Sequence, residues 1–293
     1  MKIGLVGLVA ATLLLSVASA NAHTVATKKW TLGGFNHPES VDLDLAHGVL
    51  YVSSLGGGPL DKDGNGFISK VSKDGKMLEQ NWVTGLNAPK GIVMSGFKLF
   101  VSDIDQLVEI DTRNGKIVAK YDAPGAKFLN DTAIDAEGNV YVSDIAKSTI
   151  WQLKDGKMAV WYDKPGFQNP NGLRVIRGDK LLVAGFGTGM HDDGAMDTKG
   201  NLLVIDLKTK ELTNLGDGRG IGALDGLERN GRDGYYATDF NAGALYNINK
   251  DGSFETVLDL PAGSADMDQF NNGHTVVIPQ MLENQIEGYS FKW

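Results

Sequence analysis

Six copies of one short pattern recur along this chain of 293 residues. In each copy, two short apolar stretches flank a turn rich in Gly, Asn and Asp, which is typical of a β-hairpin. Self-similarity with a period of about forty residues indicates a β-propeller, in which each repeat forms one blade. The copies are HPESVDLDLAHGVLYVSSL, APKGIVMSGFKLFVSDI, LNDTAIDAEGNVYVSDI, NPNGLRVIRGDKLLVAGF, ALDGLERNGRDGYYATDF and GSADMDQFNNGHTVVIPQM. We therefore predict an all-β, six-bladed β-propeller, in which these stretches form the inner strands A and B of each blade.

Each hairpin is followed by two more strand-like segments, except in the last repeat, which is followed by one. The third strands are FISKVS, LVEIDT, IWQLKD, LLVIDL, LYNINK and IEGYSF, and the fourth strands are NWVTGL, VAKYDA, AVWYDK, LTNLGD and TVLDLP. The segment KKWTLGGF, which precedes the first repeat, has the same pattern as NWVTGL. We expect this N-terminal strand to complete the C-terminal blade, so that the closed ring has no free edge.

The first 22 residues have the layout of a cleavable secretory signal. Lys2 precedes an apolar run of about fourteen residues, and the small residues Ala20-Asn21-Ala22 follow it. Such a run is too short to anchor the chain across a bilayer. We predict a signal peptide over residues 1–22, a single propeller domain over residues 23–293, and an exported protein, periplasmic or secreted, without membrane association after cleavage.

The composition argues against several kinds of partner and of stabilisation. A net charge of −8, from 36 acidic and 28 basic side chains, argues against nucleic acid and anionic membranes. Small molecules and cations fit this charge better. The chain has no cysteine, so disulfides contribute nothing and stability must come from the core and from any bound metal. We expect the protein to be a monomer.

One position recurs at the entrance of strand A in every blade, and we call these six positions the ring positions. They are Glu39, Lys90, Asn130, Asn171, Asp225 and Ala265, at successive spacings of 51, 40, 41, 54 and 40 residues. Because strand A lies nearest the axis of a propeller, these side chains should converge on one mouth of the central channel. Four of them carry oxygen atoms that are able to bind a metal.

Glu39, Asn130, Asn171 and Asp225 form a hard-ligand set. Two carboxylates and two amide carbonyls, without histidine or cysteine, favour Ca²⁺ over Zn²⁺ or Cu²⁺, and Mg²⁺ prefers a tighter octahedron with retained waters. We predict a Ca²⁺ site here, although another divalent cation would also fit. Its outward positions would be open to water or substrate, as a catalytic metal requires. The structural alternative is that these residues cap turns, where Asn and Asp are common.

Two insertions account for the two longest spacings between ring positions. They are LGGGPLDKDGNG at 55–66 and GTGMHDDGAMDTKG at 187–200, and both lie between strands B and C of their blades. Because strand A leaves the mouth and strand B returns to it, B–C loops should overhang the ring positions. Long loops over a pocket commonly act as lids or specificity walls. Surface decoration without a role in function is the alternative.

The phrases PES, LND, PNG and LDG, which contain the four oxygen ligands, resemble the senescence marker protein (regucalcin)/gluconolactonase family of calcium-dependent six-bladed propellers. Paraoxonase and diisopropyl-fluorophosphatase are more distantly similar. The resemblance covers about residue 30 to Trp293 and implies that Glu39, Asn130, Asn171 and Asp225 bind a catalytic Ca²⁺. It also implies hydrolysis of lactones, and its relatives cleave organophosphates and aryl esters.

Two residues depart from that family. An arginine that meets a sugar acid stands two residues before the first asparagine in gluconolactonase-type members, and here that position is Phe128. A less polar substrate than a sugar lactone is therefore expected. Lys90 also has no counterpart in the family.

The resulting hypothesis is a calcium-dependent hydrolase of small lactones or esters. Ca²⁺ would polarise the substrate oxygen, and water deprotonated by a carboxylate would attack. Asp225 is the first choice as base or nucleophile and Glu39 the second. Lys90 would stabilise an oxyanion or bind a substrate carboxylate, or else be a solvated or ion-paired lysine beside Asp131. The alternative function is a non-catalytic, calcium-stabilised propeller that binds a small ligand or protein.

Several weaker signals favour structural roles. DKDGNGFIS at 61–69 resembles the start of an EF-hand loop, but its twelfth position is Ser72 rather than Glu, so a Gly-rich turn is favoured over a second Ca²⁺. His37 and His191 are near enough in sequence to reach the site, although turn positions without a catalytic role are favoured. The repeated Asp103, Asp144 and Asp239 are interpreted as turn caps. Trp82, Tyr121 and Trp161 recur in fourth strands and suggest packing between blades.

Overall fold

The protein is a six-bladed β-propeller, as the repeats predict. The structure, a computed structural model, describes residues 24–191 and 194–292. The predicted signal peptide, residues 1–22, lies outside the described residues. Six four-stranded antiparallel sheets form the blades, and a two-stranded hairpin is inserted in the fourth. The A strands of successive blades contact one another around the axis and close a ring.

Blades 1 to 3 are continuous in sequence. Their strands are β2 (Pro38–Asp44), β3 (Val49–Ser54), β4 (Gly66–Ser72) and β5 (Met77–Leu86) in blade 1; β6 (Pro89–Ser95), β7 (Lys98–Asp103), β8 (Gln106–Asp111) and β9 (Lys116–Asp122) in blade 2; and β10 (Leu129–Ile134), β11 (Val140–Asp144), β12 (Thr149–Lys154) and β13 (Lys157–Tyr162) in blade 3.

Blades 4 to 6 contain the inserted hairpin and the closure. Blade 4 has β14 (Pro170–Ile176), β15 (Lys180–Gly185), β18 (Leu202–Asp206) and β19 (Leu212–Asn214), with the hairpin β16 (Thr188–Met190) and β17 (Met196–Thr198); blade 5 has β20 (Leu224–Arg229), β21 (Tyr235–Asp239), β22 (Ala244–Ile248) and β23 (Phe254–Asp259); blade 6 has β24 (Asp268–Phe270), β25 (Thr275–Gln280), β26 (Gln285–Lys292) and β1 (Val25–Gly33).

The N-terminal strand completes the last blade, which confirms the prediction of closure. Strand β1 pairs antiparallel with β26, from Val25 opposite Lys292 to Gly33 opposite Gln285. It occupies the outer edge of blade 6, where the other blades have their own fourth strand. The first and last segments of the described chain are thereby joined in one sheet, and the ring of blades has no open seam.

One hydrophobic core lies between each pair of neighbouring blades. Blades 1 and 2, for example, share a cluster that includes Ile68, Leu86, Leu99 and Val108. Blades 6 and 1 share another, against which Trp30 of β1 packs. The B strands supply the most uniformly buried segments, because both of their faces lie against a neighbouring blade. Stability therefore depends on contacts between blades as much as on the sheets themselves.

Aspartates on the A strands also join neighbouring blades through hydrogen bonds. Asp42 Oδ2 accepts the Met94 N–H at 2.6 Å, Asp131 Oδ2 accepts the Leu173 N–H at 2.5 Å, and Asp268 Oδ2 accepts the Leu43 N–H at 2.8 Å. Each of these bonds runs from the A strand of one blade to that of the next. Buried and partly buried carboxylates in this channel thus satisfy backbone donors that the short A strands leave unpaired.

The aspartates that end three B strands cap turns, as predicted. Asp103 accepts the N–H groups of Asn87 and Ala88, Asp144 those of Lys127 and Phe128, and Asp239 those of Asn241 and Ala242. In blades 2 and 3 the capped residues stand immediately before strand A. These caps therefore fix the chain where it enters the ring positions.

The predicted packing of Trp82 between blades is also present. Its ring lies 5.0 Å from that of Tyr51 in its own blade, and a Cβ atom on Gly115 of blade 2 would be 3.0 Å from Trp82 Nε1. Tyr121 packs against the core between blades 2 and 3, and Trp161 against the core between blades 3 and 4, so both also have the predicted position. Among the described residues, no helix has the length and apolar character needed to cross a bilayer.

Candidate active site at the channel mouth

A β-bulge sets the direction of the ring side chains in five of the six blades. Glu39, Lys90, Asn130, Asn171 and Asp225 are each the second residue of their A strand. Pairing with strand B shifts register at this point in every one of these blades, for example between Pro38 and Val41 in blade 1. A bulge turns a side chain away from the regular alternation of a strand. The repeated bulge lets these side chains enter one cavity.

Glycine follows three of the ring residues because the A strands approach one another there. A Cβ atom on Gly91 would be 2.4 Å from Asp131 Cα, and one on Gly172 would be 2.1 Å from the Asp225 carbonyl oxygen. On Gly226 it would be 2.7 Å from Asp266 Cα. A side chain at these positions would push the next strand outward, so the glycines in KG, NG and DG maintain the diameter of the ring.

The structure brings the four predicted metal ligands into one cavity of about 350 Å³ at the channel mouth. All four side chains are buried, and each has an oxygen without a hydrogen-bond partner: Glu39 Oε2, Asn130 Oδ1, Asn171 Oδ1 and Asp225 Oδ1. An unpaired buried polar atom is costly, and such atoms are rare in folded proteins. Four of them in one cavity match the donor set that a hard cation needs, so these residues fit a bound Ca²⁺.

The amide oxygens are essential to this fit. In the described part of the chain, no group of three or more His, Cys, Asp or Glu side chains is arranged to hold a metal. Glu39 and Asp225 provide only two carboxylates. The amide oxygens of Asn130 and Asn171 bring the number of candidate metal ligands to four. A site of this composition favours Ca²⁺ over softer ions that prefer nitrogen or sulfur.

The pKa values of both carboxylates in the cavity are raised. Burial raises the pKa of Glu39 well above its usual value, and the nearby charges of Asp225 and Asp266 raise it further. Burial also raises the pKa of Asp225, with a contribution from Asp266, and hydrogen bonding by Asn171 opposes the rise. A divalent cation would relieve this repulsion, since two buried negative charges close to each other are unfavourable.

Lys90 lines the same cavity but uses its donors within the protein. Its side chain is 1% exposed, and Nζ donates hydrogen bonds to the carbonyl oxygens of Pro59 and Ala88, both at 2.8 Å. The ring of Phe128 lies 4.9 Å from Nζ. Burial lowers the pKa of Lys90 to about 8, against the opposing effect of Glu39. The alternative of a solvated or ion-paired lysine beside Asp131 is wrong, because Lys90 is buried and donates its hydrogen bonds to carbonyl oxygens.

An apolar ring, which the sequence analysis missed, surrounds the four oxygens. It consists of the large apolar residue that directly follows strand B in each repeat: Leu55, Ile104, Ile145, Phe186, Phe240 and Met281. All except Ile104 line the cavity, and Ile104 packs beside Leu55 and Ala88. The repeats themselves contained the signal, since SSL, SDI, AGF, TDF and PQM end in apolar residues where a turn normally carries polar ones.

Both inserted loops overhang the cavity. Leu55 and Pro59 of the first loop line it, and so do Met190 and His191 of the hairpin in the second. His191 Nε2 lies 2.8 Å from Asp197 Oδ1 across that hairpin. His37 is not among the lining residues. Of the two histidines considered from the sequence, the structure thus brings only His191 to the cavity.

The segment that resembles an EF-hand forms a hydrogen-bonded turn. Asp61 Oδ2 accepts the Gly58 N–H at 2.8 Å, and Asp63 Oδ1 accepts the Asn65 N–H at 3.0 Å. Ile68 and Ser69, the eighth and ninth residues of that segment, are fully buried in strand β4. The segment has the contacts of the Gly-rich turn that the sequence analysis favoured.

The fold is shared with solved propeller structures of low sequence identity. Virginiamycin B lyase from Staphylococcus aureus is 12% identical, with a TM-score of 0.62, over 92% of this chain and 99% of that one. A streptogramin B lyase is 13% identical, with a TM-score of 0.61, over 94% and 100%. The WD40 domain of Neurospora crassa Pan2 is 10% identical, with a TM-score of 0.57, over 90% and 95%. Two of these neighbours are enzymes, and at such identity the likeness concerns the fold alone.

No protein-family model and no curated protein matches the sequence. The resemblance to the senescence marker protein/gluconolactonase family therefore stays a prediction.

Proposed function

We propose that this protein is a calcium-dependent hydrolase of small lactones or esters whose non-reacting part is apolar. The observation that carries the proposal is the set of four buried oxygens without partners, from Glu39, Asn130, Asn171 and Asp225, in one cavity. Their chemistry suits a hard divalent cation, and their number leaves coordination positions for other oxygen ligands.

Each residue of the cavity has a distinct proposed role in this reaction. A bound Ca²⁺ would supply a Lewis acid for the substrate's carbonyl or phosphoryl oxygen. Asp225 is the proposed base or nucleophile, because it is one of the two carboxylates that line the cavity. Glu39 is the second choice on the same ground. Asn130 and Asn171 contribute neutral oxygens, which limit the negative charge of the site.

The walls of the cavity support an apolar substrate. Phe128, at the position where the resembled family has arginine, lies in the wall together with Phe186 and Phe240. Polyhydroxylated lactones would lose hydrogen bonds to water against these side chains without replacing them. A cavity of about 350 Å³ suits a small molecule rather than a polymer.

A panel of lactones and aryl esters, assayed with EDTA and after re-addition of Ca²⁺, tests the proposal. We expect hydrolysis to require Ca²⁺ and to favour alkyl- and aryl-substituted lactones over hydroxylated ones. Asp225→Ala should abolish both turnover and stabilisation by Ca²⁺, whereas Asp259→Ala, an exposed change in the same blade, should preserve both. Stabilisation by Ca²⁺ without turnover of any substrate would instead favour the non-catalytic binding propeller.

A further inference from the structure

Loop 55–65, between β3 and β4, covers one side of the cavity but has little support at its tip. Hydrogen bonds from Leu55 N to His37 O and from Gly56 N to Asn36 O hold its base. The bonds of Asp61 and Asp63 lie within the loop. The tip is exposed from Pro59 to Asn65. Its position over the cavity therefore depends on contacts with the neighbouring blade.

Two side-chain contacts join the tip to blade 2 in the described part of the chain. Lys62 Nζ forms an ion pair with Asp105 Oδ2 at 2.5 Å, and both side chains are substantially exposed. Lys90 Nζ reaches the Pro59 carbonyl from beneath, at 2.8 Å. Exposed ion pairs contribute little because water screens them. The partly buried bond from Lys90 to the Pro59 carbonyl is the stronger constraint, since its charged donor is held away from water.

The surroundings of Lys90 explain why its side chain stays in place. Ala88, in the same blade, accepts a second hydrogen bond, and the Phe128 ring covers the ammonium group. These contacts occupy the ammonium group, and the residue as a whole is 1% exposed. Lys90 is thus built into the cavity wall as a link between a ring position and the loop above it.

We propose that Lys90 is a positioning residue, which fixes loop 55–65 over the cavity and thereby sets the wall formed by Leu55 and Pro59. This role differs from the binding of an oxyanion or a substrate carboxylate. The hydrogen bond that ties Lys90 to the loop does not depend on the reaction, whereas its effect on substrate binding rests on the proposed hydrolase function.

Limited trypsin digestion at Lys62 reports on this contact, because a protease cleaves a loop faster when the loop detaches from its neighbours, and Lys62 lies in the loop that Lys90 holds. In Lys90→Met, which keeps the length of the side chain, we expect cleavage after Lys62 to rise about tenfold. Lys98→Met, which removes a half-exposed ion pair with Glu109 in the same blade, should not change it. Peptide mass spectrometry quantifies each cleavage, with Lys147 in an exposed turn of blade 3 as the internal reference.

Kinetics separate positioning from direct catalysis. With a hydrolysed substrate, Lys90→Met should raise KM severalfold and leave kcat nearly unchanged. If Lys90→Met were cleaved after Lys62 at the wild-type rate and also lost most of its kcat, the proposal would be overturned and Lys90 would be a catalytic residue. If no substrate is turned over, the cleavage result alone decides the tie.

The same digestion distinguishes a local release of loop 55–65 from a general loss of stability in Lys90→Met. A general loss would raise cleavage after Lys62 and Lys147 equally, and Lys90→Arg, which retains the charge and the donors, then decides. Protection of Lys62 restored by arginine supports the proposal, and continued cleavage there overturns it.

Discussion

Trp30 of the N-terminal strand lies against Gly75 of blade 1, so closely that a Cβ atom on Gly75 would be 2.3 Å from Trp30 Cδ2. Gly288, in the strand that pairs with β1, is equally close to the same indole. The tryptophan is thereby enclosed between the last blade and the first. Closure of the propeller thus depends on side-chain packing as well as on the hydrogen bonds of β1.

Deletion of residues 24–34 should destabilise the whole domain. The deletion removes β1 and exposes both the edge of β26 and the core between blades 6 and 1. We expect a loss of at least about 4 kcal/mol in the free energy of unfolding, which corresponds to roughly 10 °C in Tm. Differential scanning calorimetry measures the change, and an unchanged Tm would show that the ring does not need this strand.

Gly75→Ala should cost more stability than Gly85→Ala. Both glycines have φ near +80°, so an alanine at either position pays about 1 kcal/mol for the left-handed conformation. Gly85 has open space around its Cβ position, whereas Gly75 meets Trp30. Overpacking adds about 1–3 kcal/mol at Gly75. Urea unfolding of the two variants gives the difference directly, and equal losses would contradict the close contact.

Asn171→Ala should remove most of the stabilisation by Ca²⁺. A ligand at a hundred times its Kd stabilises a protein by about 2.7 kcal/mol, and loss of one of four protein ligands should reduce this severalfold. Asn201→Ala is the matched control, because its Oδ1 is also buried and unpaired but lies outside the cavity. Thermal shifts with and without Ca²⁺ compare the variants. If Ca²⁺ raised the Tm of both variants by similar amounts, Asn171 would not be a ligand of the metal.

Asp42→Asn should stabilise the protein at pH 8 but not at pH 4. Burial and the charge of Asp268 raise the pKa of Asp42 to about 7, against the opposing effects of the Met94 N–H group and Arg174. A raised carboxyl pKa favours folding below about pH 4, where both states are protonated, and this contribution is lost as the pH rises towards 7. The amide avoids that loss and still accepts the hydrogen bond from Met94.

We expect a gain of about 1–2 kcal/mol for this variant at pH 8, less than the full shift of the pKa would give, because Arg174 lies nearby. Denaturant unfolding between pH 4 and pH 8 checks the profile. Asp74→Asn, at an exposed carboxylate whose pKa is lowered to about 2, should not reproduce it. A gain that is equal at both pH values would assign the effect to packing instead of titration.

Much of the fold follows from the sequence because a propeller repeats its unit. Six similar hairpins at near-regular spacing define six blades, and the unpaired pattern of KKWTLGGF indicates where the ring closes. The position of Glu39, Asn130, Asn171 and Asp225 in the repeat is equally readable, since repeated strands place equivalent residues at equivalent points around one axis. That these four oxygens have no protein partners could not be read from the repeat, because it depends on every neighbouring side chain.

The sequence by itself determined the number of blades, the closing strand and the residues that face the channel mouth, because each of these depends on periodicity within the chain. Tertiary structure alone decided what surrounds them. Lys90 shares the column of the oxygen ligands, yet its donors go to Pro59 and Ala88, and Phe186 and Phe240 form a wall at positions that resemble ordinary turns. The physical reason is that hydrogen bonds, burial and electrostatic interactions depend on distances between segments of different blades. A pattern within one segment of the sequence does not specify these distances.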